Sequence, residues 1–362
     1  MDLTHFVTLG RSGLRVSPLC LGAMTFGTEW GIGVEPAASM DLLDRYLDAG
    51  GNFIDTANMY NKGHSEAILG DYFADSGRKS GKRDRVVLAT KWLGNMWPGD
   101  PNGGGSHRKA LLESFHHSLR RLRTDYVDLL WMHFWDRWTP IDETMRALDD
   151  LVRAGKVRYI GFSDTPAWKC AQAQMLAHWK GWTPLVALQI EYSLLERTVE
   201  GELLPMAAEL GMGVTPWSPL KGGVLSGKYR RGRTPEGVRQ KADSKHLSEK
   251  AYAVVDALDA IAARHHCTVA QAALAWVRHQ PGVSSTIIGA RSLDQLDANI
   301  ASLKIALTPE DLAALDEVSR PTLNFPHDFL QFVRAGIQNG STINGVPSER
   351  WMGSPQSDDE RW

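Results

Sequence analysis

The feature that most constrains the fold is an alternation of strand-like and helix-like segments that repeats eight times. Short apolar runs alternate with longer segments whose apolar residues recur at the spacing of a helix. The predicted strands cover residues 19–22, 52–55, 86–91, 126–133, 157–163, 185–190, 213–218 and 285–288. The predicted helices cover about 36–49, 65–75, 107–122, 141–154, 166–179, 202–210, 249–280 and 292–303.

Several of these strands are apolar almost throughout, as in 127–132, which is typical of a parallel sheet covered on both faces. Eight strand–helix units without a linker favour an α/β fold closed as a (β/α)8 TIM barrel over a doubly wound open sheet. Residues 1–18 are expected to form a hairpin that caps the bottom of the barrel, and the barrel itself covers 19–320. Residues 321–362 form a C-terminal extension that could cover the active-site mouth.

The distribution of charges, the length of the apolar runs and the number of cysteines argue against several classes of protein. The chain has 40 lysines and arginines and 42 aspartates and glutamates without a basic stripe, so we expect no nucleic-acid partner. No apolar run reaches the roughly 18 residues that a membrane helix needs, and we expect neither a signal peptide nor membrane association. Three widely spaced cysteines suit reduced thiols in the cytoplasm. The sequence is compatible with an oligomer but contains no feature that specifies one.

Four polar residues follow successive predicted strands, and the carboxyl ends of barrel strands meet at one face. They are Asp55, Tyr60, Lys91 and His133. A phenol has a pKa of about 10, and a neighbouring ammonium favours its phenolate and lowers that pKa. Taken singly, each residue could be a cap, a packing residue or a solvated charge. Together they predict a proton donor (Tyr60) tuned by Lys91, with Asp55 holding the lysine and the imidazole positioning a carbonyl.

No metal site is expected, because the clusters His116-His117 and His265-His266-Cys267 lack HExxH or CxxC spacing. No Gly-x-Gly-x-x-Gly follows a strand, so a Rossmann dinucleotide site is not expected either. The last predicted strand instead runs into Gly289-Ala290-Arg291 at the start of a helix. Free amides at a helix start and an arginine fork suit a phosphate.

The chain resembles the aldo-keto reductases over roughly residues 5–318, and in particular their bacterial aryl-alcohol-dehydrogenase-like branch. The resemblance rests on FIDTANMY (53–60), LATK (88–91), RRLRTDYVDLLWMH (120–133), GFSDTP (161–166), LQIEYS (188–193), TPWSPLKGGVLSGKY (215–229) and IIGARSLDQLDANI (287–300). It implies that the four rim residues are the catalytic tetrad of a carbonyl reductase, with Tyr60 as the general acid. It also implies NADPH as the cofactor. The residues implied to bind it are Ser163, Asp164, Gln189, Trp217, Ser218, Leu220, Gly222, Gly289, Ala290, Arg291, Gln295 and Asn299.

Two positions depart from the family pattern. Asp164 stands where an asparagine commonly follows the nicotinamide-binding serine, and a carboxylate accepts hydrogen bonds but donates none. Ala298 stands where the motif that binds the adenosine 2′-phosphate often has an acidic residue. These departures bear on how the cofactor is held and on the strictness of the preference for NADPH.

The expected substrate is a small aromatic or mid-sized apolar carbonyl or alcohol compound. Trp30, Trp97, Phe134 and Trp138 lie in predicted strand-exit loops and predict a largely aromatic pocket, whereas Trp92 and Trp135 are expected to serve barrel packing. The long loops 92–105 and 219–248 are expected to be functional or mobile.

Two alternatives stay open at this point. Potassium-channel β-subunit-like proteins share this barrel and bind the nucleotide as regulators, with little turnover. A barrel glycosidase would need two carboxylates about 5–10 Å apart across a sugar, and Asp55 and Glu191 are the candidates at the rim. Lys91 beside Asp55 argues against the glycosidase.

Overall fold

The computed structural model of the chain describes residues 1–74, 82–232 and 244–361. The predicted helix 65–75 and the predicted loop 219–248 therefore extend into residues outside the described ranges. The chain divides into a large unit, Met1–Ser319, and a small one that begins at Arg320. The expectation that residues 321–362 cover the active-site mouth stays a prediction.

The large unit is a closed barrel of parallel strands. A short hairpin comes first, β1 (Val7–Thr8) and β2 (Arg15–Val16). The barrel strands are β3 (Leu19–Gly22), β4 (Phe53–Asp55), β5 (Val87–Trp92), β6 (Val127–Met132), β7 (Val157–Ser163), β8 (Leu185–Glu191), β9 (Gly213–Trp217) and β10 (Thr286–Ile288). Their order in the sheet is β10-β3-β4-β5-β6-β7-β8-β9, with all neighbours parallel. A parallel bridge between Val214 and Val283 joins β9 to the segment before β10 and closes the ring. The predicted (β/α)8 TIM barrel is confirmed.

The helices surround the strands. They are α1 (Pro36–Asp48), α2 (His64–Ala74), α3 (Arg108–Arg121), α4 (Ile141–Arg153), α5 (Ala167–Lys180), α6 (Leu203–Glu209), α7 (Glu249–Arg264), α8 (Val269–His279), α9 (Leu293–Ala301) and α10 (Pro309–Ser319). The single helix predicted at 249–280 was wrong. It is broken because His266 is left-handed (φ 50°) and Thr268 forms a capping box with Gln271, which starts α8. Helix α10 was not predicted from the sequence.

Alternate residues of each strand face opposite sides of the barrel wall. In β6, Leu129 and Trp131 belong to the cluster that fills the barrel, whereas Leu130 and Met132 pack in the cluster that includes the helices. This is the period of two that a strand imposes. Leu9 from the leading hairpin joins the interior cluster, and the amide of Arg11 donates to Gly211 O before β9.

The small unit contains α11 (His327–Gln338) and a hairpin of β11 (Thr342–Ile343) with β12 (Val346–Pro347). Asn339 ends α11 in a left-handed cap. None of the residues described in this unit is buried, and Phe332 and Ile337 are more than three-quarters exposed. In the part of the chain that the structure describes, no helix combines the length and apolarity needed to cross a bilayer.

Candidate active site

The period of two places the polar residues at the strand ends inside the barrel. In β4, Phe53 faces the interior and Ile54 faces the helices, so Asp55 faces the interior. In β5, Leu88 packs towards the helices and Ala89 faces the interior, so Lys91 faces the interior too. By the same alternation in β6 and its continuation, His133 follows Trp131 on the inner face, and Ser163 and Gln189 lie on the inner faces of β7 and β8.

Lys91 is the centre of the site. Its side chain is fully buried and its Nζ donates to the carboxylate of Asp55, to Thr56 O at 2.9 Å and to Tyr60 Oη at 3.1 Å. All three protons of the ammonium therefore have acceptors. Gln189 Nε2 donates to the other oxygen of Asp55 at 3.0 Å, so the carboxylate is held from both sides.

The ionisation of the site follows from this packing. Burial by itself lowers the pKa of Lys91, but Asp55 and Tyr60 outweigh it and raise that pKa, so the lysine stays charged. For Tyr60 the expectation of a lowered pKa was wrong in this structure. Burial raises the pKa of the phenol by more than Lys91 lowers it. Tyr60 is therefore protonated at neutral pH, and the lysine beside it stabilises the phenolate only when the proton leaves.

His133 lies beside the phenol as a neutral imidazole. Its ring centroid is 5.6 Å from that of Tyr60, edge to face. Burial, assisted by the charge of Lys91, lowers the pKa of His133 to about 3. Nδ1 is buried without a hydrogen-bond partner among the described residues. A neutral ring can donate one hydrogen bond into the space above Tyr60.

Asp164 contacts Trp217. The amide of Asp164 donates to Gln189 O at 3.2 Å, and its carboxylate accepts from Trp217 Nε1 at 3.0 Å. Its backbone is left-handed (φ 40°), a conformation that costs energy outside glycine and is common at functional sites. Desolvation of the carboxylate and the nearby Glu191 raise the pKa of Asp164 to about 6, against the effect of the indole hydrogen bond.

The segment after β9 contains the next predicted cofactor residues, Ser218, Leu220 and Gly222. Ser218 and Lys221 have φ of 53° and 46°, and Gly222 also lies in the left-handed region with φ of 62°. Ser218 Oγ accepts from the amide of Gly222 at 3.2 Å. Lys221 Nζ is bonded to Glu191 Oε1 at 2.8 Å, which ties this segment to the end of β8. Such turns of successive amides are typical of anion-binding concavities.

The start of α9 is arranged as expected for a phosphate site. Ser292 caps the helix by accepting from the amide of Gln295, whose Oε1 accepts from the amide of Arg291 at 2.9 Å. Asn299 Nδ2 donates to Gly289 O at 3.1 Å and fixes the turn that contains Ala290. The side chain of Arg291 is exposed and makes no hydrogen bond or ion pair with the described residues, so it can reach a ligand.

Two of the four predicted pocket aromatics surround Tyr60 and His133. The ring of Trp30 is 5.9 Å from that of Tyr60, and the ring of Phe134 is 5.3 Å from that of His133. Trp97 instead packs against His117 of α3 at 5.0 Å, and Trp138 is 87% exposed. Of the two assigned to packing, Trp92 is fully buried and Trp135 packs edge-on against Trp168.

Sequence reasoning missed two contributors, the carbonyl of Thr56 and the side chain of Asn61. The carbonyl of Thr56 is the third acceptor of Lys91, and a backbone group has no sequence signal. Asn61 follows Tyr60 and is left-handed, with φ of 46°. The available signal was an asparagine next to a predicted functional residue, since asparagine tolerates this conformation.

The comparisons with known proteins agree with this geometry. Residues 18–320 match the model of the aldo/keto reductase family. An aryl-alcohol dehydrogenase of Pestalotiopsis microspora is 38% identical over 91% of this chain and 85% of its own length. A norsolorinic acid reductase of Aspergillus flavus is 37% identical over 90% of this chain and 84% of its own length. An uncharacterized oxidoreductase of Bacillus subtilis is 39% identical over 87% of this chain and 95% of its own length. The chain therefore belongs to the aldo/keto reductase family, a family of oxidoreductases that act on small-molecule carbonyl compounds.

Proposed function

We propose that the chain is an NADP-dependent carbonyl reductase that reduces aldehydes and ketones to alcohols reversibly, with Tyr60 as the proton donor. The observation that carries the proposal is the hydrogen bond from Lys91 Nζ to Tyr60 Oη at 3.1 Å, with Asp55 bonded to the same nitrogen. A buried ammonium next to a phenol stabilises the phenolate that forms when the proton is transferred.

Each residue of the tetrad then has one task. Tyr60, protonated at neutral pH, donates its proton to the carbonyl oxygen of the substrate. Lys91 stabilises the resulting phenolate, and Asp55 keeps the lysine charged and in place. His133, neutral because of its low pKa, donates a hydrogen bond to the same carbonyl oxygen and orients it.

The residues at the rim fit a dinucleotide. The capped start of α9 with exposed Arg291 suits the 2′-phosphate of NADP, and the left-handed segment at Ser218 suits the pyrophosphate. Ser163 and Gln189, on the inner faces of their strands, suit the nicotinamide amide. When bound, a reduced nicotinamide would supply the hydride that the carbonyl carbon accepts. Because Asp164 already accepts from Trp217, we assign it to holding that indole as well as to the carboxamide.

The proposed substrate is an aromatic or mid-sized apolar carbonyl compound. Trp30 and Phe134 flank Tyr60 and His133 and offer flat apolar surfaces. The names of two relatives, an aryl-alcohol dehydrogenase and a norsolorinic acid reductase, support this class. A glycosidase is disfavoured because both candidate acids are ion-paired, Asp55 with Lys91 and Glu191 with Lys221. We assign the protein to the cytoplasm, in keeping with its three free cysteines.

Replacing Tyr60 with phenylalanine tests the proposal. Tyr60→Phe should lower kcat for benzaldehyde at least about 100-fold, the usual size of a general-acid contribution, while NADPH still binds by fluorescence. Tyr126→Phe is the matched control, since that phenol lies on the outside of the barrel next to Asp84 and should keep full activity. Unchanged turnover of Tyr60→Phe would refute the mechanism. Tight NADPH binding with negligible turnover by the wild type would favour the regulatory alternative.

A further inference from the structure

Asn61 is a fully buried polar residue that the proposed proton transfer does not use. Its Nδ2 donates to Met24 O and to Phe26 O, both at 2.9 Å. Its Oδ1 accepts from the amide of Trp30 at 3.0 Å. Both donor protons and the acceptor oxygen of this side chain are thus bonded to residues of one loop. The side chain therefore acts as a specific cross-link to that loop.

The loop in question follows β3 and carries Trp30. A turn closes it at Gly27, whose amide donates to Val34 O at 2.9 Å, while the amide of Val34 donates to Thr25 O at 2.9 Å. Asn61 binds two carbonyls just before Gly27 and the amide of Trp30 inside the loop. The position of Trp30 is therefore set from the segment that also contains Tyr60.

The backbone of Asn61 supports the same conclusion. Asn61 and Lys62 both lie in the left-handed region, with φ of 46° and 58°, which costs energy for residues other than glycine. Lys62 is exposed and its side chain makes no hydrogen bond with the described residues, whereas Asn61 makes three side-chain hydrogen bonds. Those bonds offset the cost of its conformation and explain why the side chain points into the loop.

We propose that Asn61 is a positioning residue that fixes Trp30 as a wall of the substrate pocket beside Tyr60. The ring of Trp30 stands 5.9 Å from the phenol ring at 76°, which leaves a flat apolar surface next to the proton donor. Held there, the indole favours a planar aromatic carbonyl over a small aliphatic one. The inference rests on the proposed function and names the residue that sets its substrate preference.

The test compares two glycine variants. Glycine accepts the left-handed backbone, so Asn61→Gly removes only the cross-link, and Lys62→Gly is its matched control. The measured quantity is kcat/KM for benzaldehyde divided by kcat/KM for propanal. Asn61→Gly should lower this ratio about tenfold, as expected when a positioning contact is lost, with KM for NADPH unchanged. Lys62→Gly should leave it within about twofold.

A double variant separates positioning from a general loss of structure. In a Trp30→Ala background, Asn61→Gly should cause no further loss of the ratio, since the wall it positions is already gone. If Asn61→Gly lowered the substrate ratio by the same factor in the wild-type and in the Trp30→Ala background, the inference would be overturned. It would also be overturned if Asn61→Gly and Lys62→Gly had the same substrate ratio.

A measurement on the wild-type protein needs no variant. The amide proton of Trp30 should exchange at least about 100-fold more slowly than in an unstructured peptide. Fast exchange would overturn the cross-link. Failure of the proposed function is distinguishable, because it would appear as activity retained by Tyr60→Phe whatever the substrate ratio.

Discussion

Lys91 and Tyr60 are joined by a hydrogen bond of 3.1 Å in which the lysine Nζ donates to the phenol oxygen. The same nitrogen lies 4.7 Å from the centre of the tyrosine ring, so the charge sits beside the phenol rather than at the end of a flexible arm. In this arrangement the pKa of Tyr60 is nevertheless raised, because burial outweighs the ammonium. The contribution of Lys91 to the proposed reaction therefore comes when the phenolate forms.

Replacing Lys91 with methionine should remove that contribution. We expect kcat for benzaldehyde to fall at least about 100-fold, because the phenolate would form in a buried site without a counter-charge. The free energy of unfolding should fall by about 3–5 kcal/mol, since Asp55 would remain buried without its cation. Steady-state kinetics and urea unfolding measure the two effects.

The double variant Asp55→Asn/Lys91→Met separates the two effects. It removes the uncompensated carboxylate, so most of the lost stability should return while the activity stays low. Recovery of activity in the double variant would contradict the proposed role of Lys91.

His133 should not titrate in the physiological range. Its pKa is lowered to about 3 by burial and by Lys91, so the imidazole is neutral from pH 5 to pH 8. The folded state binds this proton less readily than the unfolded chain, whose histidine pKa is about 6.5. This histidine therefore lowers stability progressively as pH falls from about 6.5 towards 3. NMR of the His133 ring, assigned with His133→Asn, checks the prediction, and a midpoint near 6.5 would refute it.

Asp164 should affect stability with the opposite pH dependence. Its pKa is raised from 3.8 to about 6, so the folded state binds the proton more tightly than the unfolded chain does. The stability that comes from this proton is lost as pH rises from 3.8 to about 6. The free energy of unfolding of Asp164→Asn, taken relative to that of the wild type, should therefore be higher at pH 8 than at pH 4. Urea unfolding at the two pH values measures this difference.

Asp136→Asn is a control of opposite sign. Hydrogen bonds from Thr139 and Ser106 lower the pKa of Asp136 in spite of partial burial. Asp136 therefore stabilises the fold above a pH of about 3.8 and loses that contribution only below it, so its removal should cost about the same stability at pH 8 as at pH 4 and less at about pH 2. If the free energy of unfolding of Asp164→Asn and of Asp136→Asn, each relative to the wild type, changed with pH in the same way, the assigned environment of Asp164 would be ruled out.

The sequence predicted the barrel because its signals are local. Apolar runs such as 127–132 recur eight times, glycines follow several of the helices, and a closed parallel barrel satisfies these signals together. The same period of two explains why Asp55, Lys91 and His133 meet, since residues separated by two positions face the same side of a strand. The break between α7 and α8 was missed because a helical pattern continues across His266.

The features that escaped prediction depend on distant partners. The sign of the pKa shift of Tyr60 follows from how deeply the ring is buried relative to the strength of one ion pair, which spacing does not reveal. The cross-link from Asn61 reaches carbonyls that are 35 and 37 residues away in the chain. Trp97 and Trp138 were predicted to line the pocket because they lie in strand-exit loops, but aromatic residues in such a loop can equally face a helix or solvent.

Arg291 should decide between the two nicotinamide cofactors. Its guanidinium is exposed beside the capped start of α9, and its own amide is held by Gln295 at 2.9 Å. A charge-assisted fork to a phosphate contributes roughly 1.5–3 kcal/mol, so Arg291→Ala should raise KM for NADPH about 10–100-fold. KM for NADH, which lacks the 2′-phosphate, should stay the same. Arg291→Lys should lie in between, because an ammonium is a point charge without the fork.

Arg45→Ala is the matched control for this prediction. Arg45 is an exposed arginine that pairs with Asp297 on α9 at 2.7 Å, so its removal changes the charge near the same helix without touching the capped start. Both KM values should stay within about twofold of wild type, because a screened surface pair acts weakly at a distance. If Arg291→Ala and Arg45→Ala raised KM for NADPH equally, the cause would be the loss of a positive charge near the site and not a direct contact of Arg291 with the phosphate. If neither raised it, the phosphate would have to be held elsewhere, and the proposed preference for NADP would lose its physical basis.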